Sequence, residues 1–114
     1  MEITISTGKT VRIDWHHQRK KNKVRGGMTT CHLTIREIIH KAPSRCSKLD
    51  NFCYAVGRFY STRRALKLSS MELNPDEQSM VWDYFLVTMG KHAETACLAL
   101  VPAAFWSYPL TNEV

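Results

Sequence analysis

Seven side chains in the first half of the chain are of types that do chemistry: His16, His17, Cys31, His32, His40, Cys46 and Cys53. Zinc takes thiolate sulfur and imidazole nitrogen at about 2.0 to 2.3 Å, so the donors for a metal centre are present in number. Their spacing opposes one. There is no C-x-x-C pair, Cys31 and His32 point to opposite faces of any strand that contains both, and Cys46 and Cys53 stand two turns apart if they share a helix. Buried cysteines and surface histidines are therefore expected, with no metal and no cofactor. A Cys–His nucleophile needs an activating geometry, and no nucleophile elbow or glycine-rich oxyanion loop accompanies any cysteine. Asp76-Glu77, the clearest acidic pair, precedes a helical pattern where capping accounts for it. No enzymatic activity is expected from these residues.

Cationic residues offer a different chemistry. Arg19, Lys20, Lys21, Lys23 and Arg25 form the densest basic cluster in the chain, and Arg58, Arg63 and Arg64 form a second group. Each phosphate neutralised by Lys or Arg releases counterions, so such clusters can hold DNA or RNA with salt-sensitive affinity. They can equally steer an acidic protein partner. A solvated turn is the plain alternative for the first group. Gly26-Gly27 follows the cluster but lacks the spacing and the Lys-Ser/Thr ending of a phosphate-binding loop. Trp15, Tyr54 and Tyr60 could stack on bases, although Trp15 suits a strand core and the tyrosines a helix flank.

These residues are positioned by a short list of predicted elements. Ile3 and Ile5, then Val11, Ile13 and Trp15, alternate with polar residues around Thr7-Gly8-Lys9, which predicts a β-hairpin. His16 to Gly27 has almost nothing to bury and reads as a mobile loop. Cys31, Leu33 and Ile35 alternate within Met28 to Glu37 and give a third strand; Ile38-Ile39 extends it or starts a turn, and Ala42-Pro43-Ser44 breaks the pattern. Ser44 to Leu68 reads as a central helix with a stripe of Leu49, Phe52, Val56, Phe59 and Leu66, capped by Ser47 or Asp50. Gly57 inside it costs about 1 kcal/mol against alanine, which suggests a close backbone approach. Asn74-Pro75-Asp76-Glu77 announces a second helix running to Met89, with apolar residues on more than one side. Thr95 to Val101 is helix or strand, and the ending from Ala103 to Leu110 is aromatic and irregular.

The central stretch carries a family resemblance. Arg45-Cys46-Ser47, Asp50, Phe52, Gly57-Arg58 and Arg64-Ala65-Leu66 together resemble a signature of small, largely uncharacterised bacteriophage-encoded proteins. In that family a β-rich beginning, with an element comparable to Thr29-Thr30-Cys31, precedes a helix opening on Cys-Ser-Pro-Lys-Asp. Here Lys48-Leu49 replace Pro-Lys, and Cys53-Tyr54-Ala55 stand where the pattern is more basic. The likeness runs from Thr10 to Leu68. It implies a phage origin and an accessory, non-enzymatic role in the host cytoplasm, such as binding a host protein complex.

Composition sets the outer bounds. A chain of 114 residues, 44% hydrophobic and 23% charged, has the size and balance of one globular domain. No apolar run reaches the roughly eighteen residues that span a bilayer, and Met1 to Thr10 lacks signal-peptide character, so a cytoplasmic protein without membrane partners and with free thiols is expected. Residues 1–70 hold fifteen Lys or Arg against four acidic residues, whereas 71–114 hold one against six. That gives +11 and −5, a polarity that offers a basic side to nucleic acid or an acidic protein. The expectation is an α+β fold: an antiparallel sheet of about three strands packed against two or three helices, with residues 1–43 β-rich and 44–114 helical. The excess apolar helix surface also allows a homo-oligomer. The leading functional expectation is a phage-type protein that binds a host protein complex and inhibits a defence or nucleic-acid-processing system; the alternative is a nucleic-acid-binding regulator.

Overall fold

The computed structural model describes residues 1–19, 25–51, 53–90 and 106–107. Its framework is an antiparallel meander of β1 (Glu2–Thr4), β2 (Thr10–Gln18), β3 (Arg25–Ile35) and β4 (Ile38–Asn51), joined at the β4 edge by the two-residue β5 (Trp106–Ser107). Two helices follow β4: α1 (Tyr54–Leu68) and α2 (Pro75–Phe85), the latter continuing as a π turn over Leu86–Gly90. The expected α+β architecture is present, with one long strand more than the three expected.

Alternation builds the core. Ile3, Val11, Ile13, Leu33 and Ile35 fall on one face and are fully buried, and register aligns Ile3 with Val11, Val11 with Ile35, and Ile13 with Leu33. α1 lies across β3 and β4 on that face and adds Ala65 and Leu66. α2 closes the layer with Val81 and Phe85, where Trp15, Trp82 and Phe59 form a chain of ring contacts at 5.2 to 6.0 Å. Trp15 is half-buried rather than solvent-facing, and its Nε1–H donates to Thr62 Oγ1 at 2.8 Å, so the one polar atom of the ring is satisfied on α1.

Four expectations require correction. The segment Ser44 to Asn51 is strand, not the first turns of the central helix: Ser44 pairs with Thr29, Cys46 with Gly27 and Asn51 with Arg25. Pairing with a long neighbour satisfies backbone groups on that side of Ser44 to Cys46 and again at Asn51, and outweighs a helical spacing of only two apolar residues, Leu49 and Phe52. Consequently neither Ser47 nor Asp50 caps α1; Cys53 occupies the N-cap with extended backbone and no side-chain cap. The division at residues 43 and 44 falls inside a strand. Among the described residues Pro43 has only β3 beside it, since β5 pairs no farther than Arg45 and Cys46, and proline is tolerated at such an edge. The stretch read as loop is also shorter than expected, since β2 continues through His16 and His17 to Gln18 and β3 begins at Arg25.

The predicted start of α2 is borne out in detail. Asn74 Oδ1 accepts from Glu77 N–H at 2.8 Å while Glu77 Oε1 accepts from Asn74 N–H at 3.0 Å, with Pro75 in the first turn. Glu77 does more than cap. Its carboxylate also accepts from Lys9 Nζ at 2.8 Å and from Thr7 Oγ1 at 2.7 Å, which fastens the β1–β2 turn to α2. Lys9 with Asn74 and Thr7 holds its carboxyl well below the usual range, at about 2. α2 ends as a regular helix at Phe85, four residues before the expected Met89. The apolar run from Thr95 to Val101 lies outside the described residues, as does the ending apart from Trp106–Ser107. Among the described residues no helix is long and apolar enough to cross a membrane.

Candidate functional site: the basic end of the sheet

The β2–β3 connection and the β4–α1 junction meet at one end of the sheet, because Arg25 opposes Asn51 and α1 starts three residues later at Tyr54. Tyr54 is the hub. Its ring packs edge-on against His17 with centroids 4.6 Å apart, and the Arg19 guanidinium sits 5.7 Å from the ring centroid. Arg19 Nη1–H also donates to Tyr54 Oη at 3.2 Å. A cation over an aromatic face gains roughly 0.5 to 1 kcal/mol at an exposed site, which orders the arginine without neutralising it.

His17 lies beneath this group and is bonded through Nδ1 to Thr29 Oγ1 at 2.8 Å. Burial lowers its pKa first, and the positive charges of Arg58 and then of His16 add to the effect. The imidazole is thus neutral at physiological pH, and the positive potential here belongs to the arginines. Arg58, one helical turn beyond Tyr54 on α1, thus adds its positive charge to the field on His17. The first turn of α1 contains no acidic residue and no side-chain cap, so its dipole adds to the same positive end.

The predicted cationic residues therefore divide. Arg19 lies against Tyr54, and Arg58 follows Tyr54 by one turn of α1. Arg25 begins β3 at the same end, while Lys20, Lys21 and Lys23 lie outside the described residues. Arg63 is exposed farther along α1. Arg64 is a correction: it is only 3% exposed and does not belong to a solvent-facing basic surface. α1 is buried on nearly all sides, with Val56 and Gly57 as well as Ala65 and Leu66 withdrawn from solvent, so the face expected to carry Arg64 outward is covered.

The thiol and imidazole candidates disperse. Cys31 is buried on the inner face beside Trp15 and Thr62, and burial pushes its thiol up to about 12, which suits neither a metal ligand nor a nucleophile. His32, the next residue, is half-buried on the opposite face. His40 pairs with Glu72 at 2.5 Å, tying β4 to the turn between the helices. Cys46 and Cys53, expected two helical turns apart, instead flank the β4–α1 junction and join one small apolar cluster with Val56, Phe59 and Tyr60. Among the described residues Cys31, Cys46 and Cys53 carry free thiols, and Cys97 lies outside them. Among the described residues no three His, Cys, Asp or Glu side chains converge as a metal site.

Gly26 and Gly27 form neither a loop nor a phosphate cradle. Both have positive φ, 74° and 118°, and they carry a bulge that bends β3 as it enters the sheet. What sequence reasoning missed is the centre of the site, His17 and its hold on Tyr54, because that contact depends on β4 returning the chain to the far end of β2. No protein-family model matches the chain, and no curated protein or solved structure is significantly similar to it.

Proposed function

We propose that this chain is a non-enzymatic accessory protein of phage type that works in the host cytoplasm by docking its basic end on an acidic surface of a host protein complex, in the manner of an inhibitor of a defence or nucleic-acid-processing system. One observation carries the reading: Arg19, just past the end of β2, is held against Tyr54 at the start of α1, the ring of Tyr54 packs on His17 of β2, and the positive charge of Arg58 one turn along α1 acts on the same imidazole. Beside them in sequence stand Lys20, Lys21, Lys23 and Arg25. Such a concentration of one sign accelerates encounter with a surface of the other sign and fixes its orientation. The phage resemblance of Arg45 to Leu66 supplies the accessory role.

The second reading, a nucleic-acid-binding regulator, draws on the same cations. A free two-stranded ribbon would fit the major groove of DNA. Here β4 runs alongside the ribbon as far as Asn51 and α1 packs against it, so the end is too thick for groove entry. The Tyr54 ring, 44% exposed, is already engaged by Arg19 and, edge-on, by His17. Nucleic-acid binding through this end would draw chiefly on phosphate contacts from the cations, which carry no sequence information. The test is affinity capture from a bacterial lysate with and without nuclease, together with titration of random duplex and single strands at two salt concentrations. Capture of a defined protein complex that survives nuclease supports the first reading; capture abolished by nuclease, with steep salt dependence, replaces it with the second.

A further inference from the structure

At the opposite end of the sheet the surface has a different character. The β3–β4 turn and the α1–α2 turn are drawn together by the His40–Glu72 pair. Around them four apolar side chains face solvent: Ile38 at 49%, Ile39 at 54%, Leu68 at 45% and Met71 at 91% exposure. The tip itself holds one charge of each sign, Arg36 and Glu37, both exposed.

We infer that this apolar end is a self-association surface whose occupant is a second copy of the same chain. An interface between identical copies about a two-fold axis must be self-complementary, so each residue needs its partner within the same patch. Arg36 and Glu37 meet that condition: an axis through the tip sets Arg36 of one copy against Glu37 of the other, with the isoleucines and Met71 closing around them. Net charge favours the same arrangement. Two copies of a +6 chain repel, and the repulsion is least where their basic ends are farthest apart. From Arg25 to Ile35 the β3 strand spans about 34 Å at its usual rise, several times the Debye length of about 8 Å in physiological salt. The copies thus meet through the end remote from Arg19 and Arg25, around the Arg36–Glu37 tip, and present their basic ends outward. This arrangement does not depend on what the basic end binds.

Four partly exposed side chains fall short of the ~800 Å² per partner typical of a stable complex, so the dimer is weak and reversible. Sedimentation velocity over roughly 10 to 500 µM, the range suited to such an interface, is the direct test. A concentration-dependent monomer–dimer equilibrium is expected. Met71→Glu should weaken it at least tenfold with the melting temperature unchanged. Arg36→Glu and Glu37→Arg should each weaken it several-fold, and the double exchange should restore it, because only a two-fold contact re-pairs both charges at once. A monomer across the whole range, or a dimer indifferent to all four variants, overturns the inference.

Discussion

Glu77 illustrates how one side chain can serve two ends of the chain. It caps α2 by sequence-local bonds and receives Lys9 and Thr7 from the β1–β2 turn, nearly seventy residues away, while only 3% exposed. Its carboxyl is held at about 2 in the fold against an ordinary value of 4.5. A depressed acid stabilises the native state above its unfolded pKa, and that contribution is lost as pH falls through the folded one. Stability should therefore decline between about pH 5 and pH 2. In Glu77→Gln the midpoint at neutral pH should be lower and the acid slope shallower, as followed by urea denaturation at several pH values; parallel profiles for the two proteins would refute the role. The local half of this arrangement was legible, since Asn74, Pro75 and Glu77 stand at capping-box spacing. The half supplied by Lys9 was not, because nothing in Thr7-Gly8-Lys9 specifies a distant carboxylate.

At the scale of elements, local pattern and long-range pairing compete. β1, β2 and most of β3 were legible because their apolar alternation also defines the buried face. β4 was not: Ser44 to Asn51 alternates weakly, and its strand form rests on register with Thr29, Gly27 and Arg25. The fate of Arg64 follows from the same limit, since a charged residue in a helix reads as exposed until a helix is known to be covered on nearly every side. Gly57 sits in that covered region, and Gly57→Leu should destabilise by about 1 to 3 kcal/mol through overpacking, with an unchanged melting temperature as the contrary result.

The β3–β4 turn offers a test with the opposite sign. Arg36 and Glu37 both adopt positive φ, 49° and 69°, a conformation that a tight hairpin requires and that Asn-Gly accepts more readily. Replacing the pair by Asn-Gly should raise stability by about 1 kcal/mol in thermal unfolding of the dilute monomer. It should also abolish the charge-dependent part of self-association. A loss of stability would mean that the turn is held by contacts its backbone angles do not reveal.

The whole molecule separates its surfaces by kind, with Arg19, Arg25 and Arg58 toward the end where β2 stops and α1 begins, and an apolar end tipped by Arg36 and Glu37 at the far side of the ribbon. α2 adds Met80, Tyr84 and Val87 to the exposed apolar surface, as its many-sided pattern predicted. The bulk asymmetry of charge was plain in the sequence, and so was the cluster from Arg19 to Arg25. The place where Arg58 joins it was not, because a helix read from Ser44 sets its residues in a different frame from one that begins at Tyr54. The measurement that most directly tests the central claim is capture of the host complex by a variant with Arg19, Lys20, Lys21, Lys23 and Arg25 changed to Ser, alone and combined with Arg58→Gln. The fold should survive, with the loss of the Arg19–Tyr54 contact costing about 1 kcal/mol or less and the other surface changes less than about 0.5 kcal/mol each, as circular dichroism and thermal unfolding would record. Capture at physiological salt should fall sharply in the first variant and vanish in the second. Undiminished capture by a folded double variant would contradict the account and move the functional surface away from the basic end.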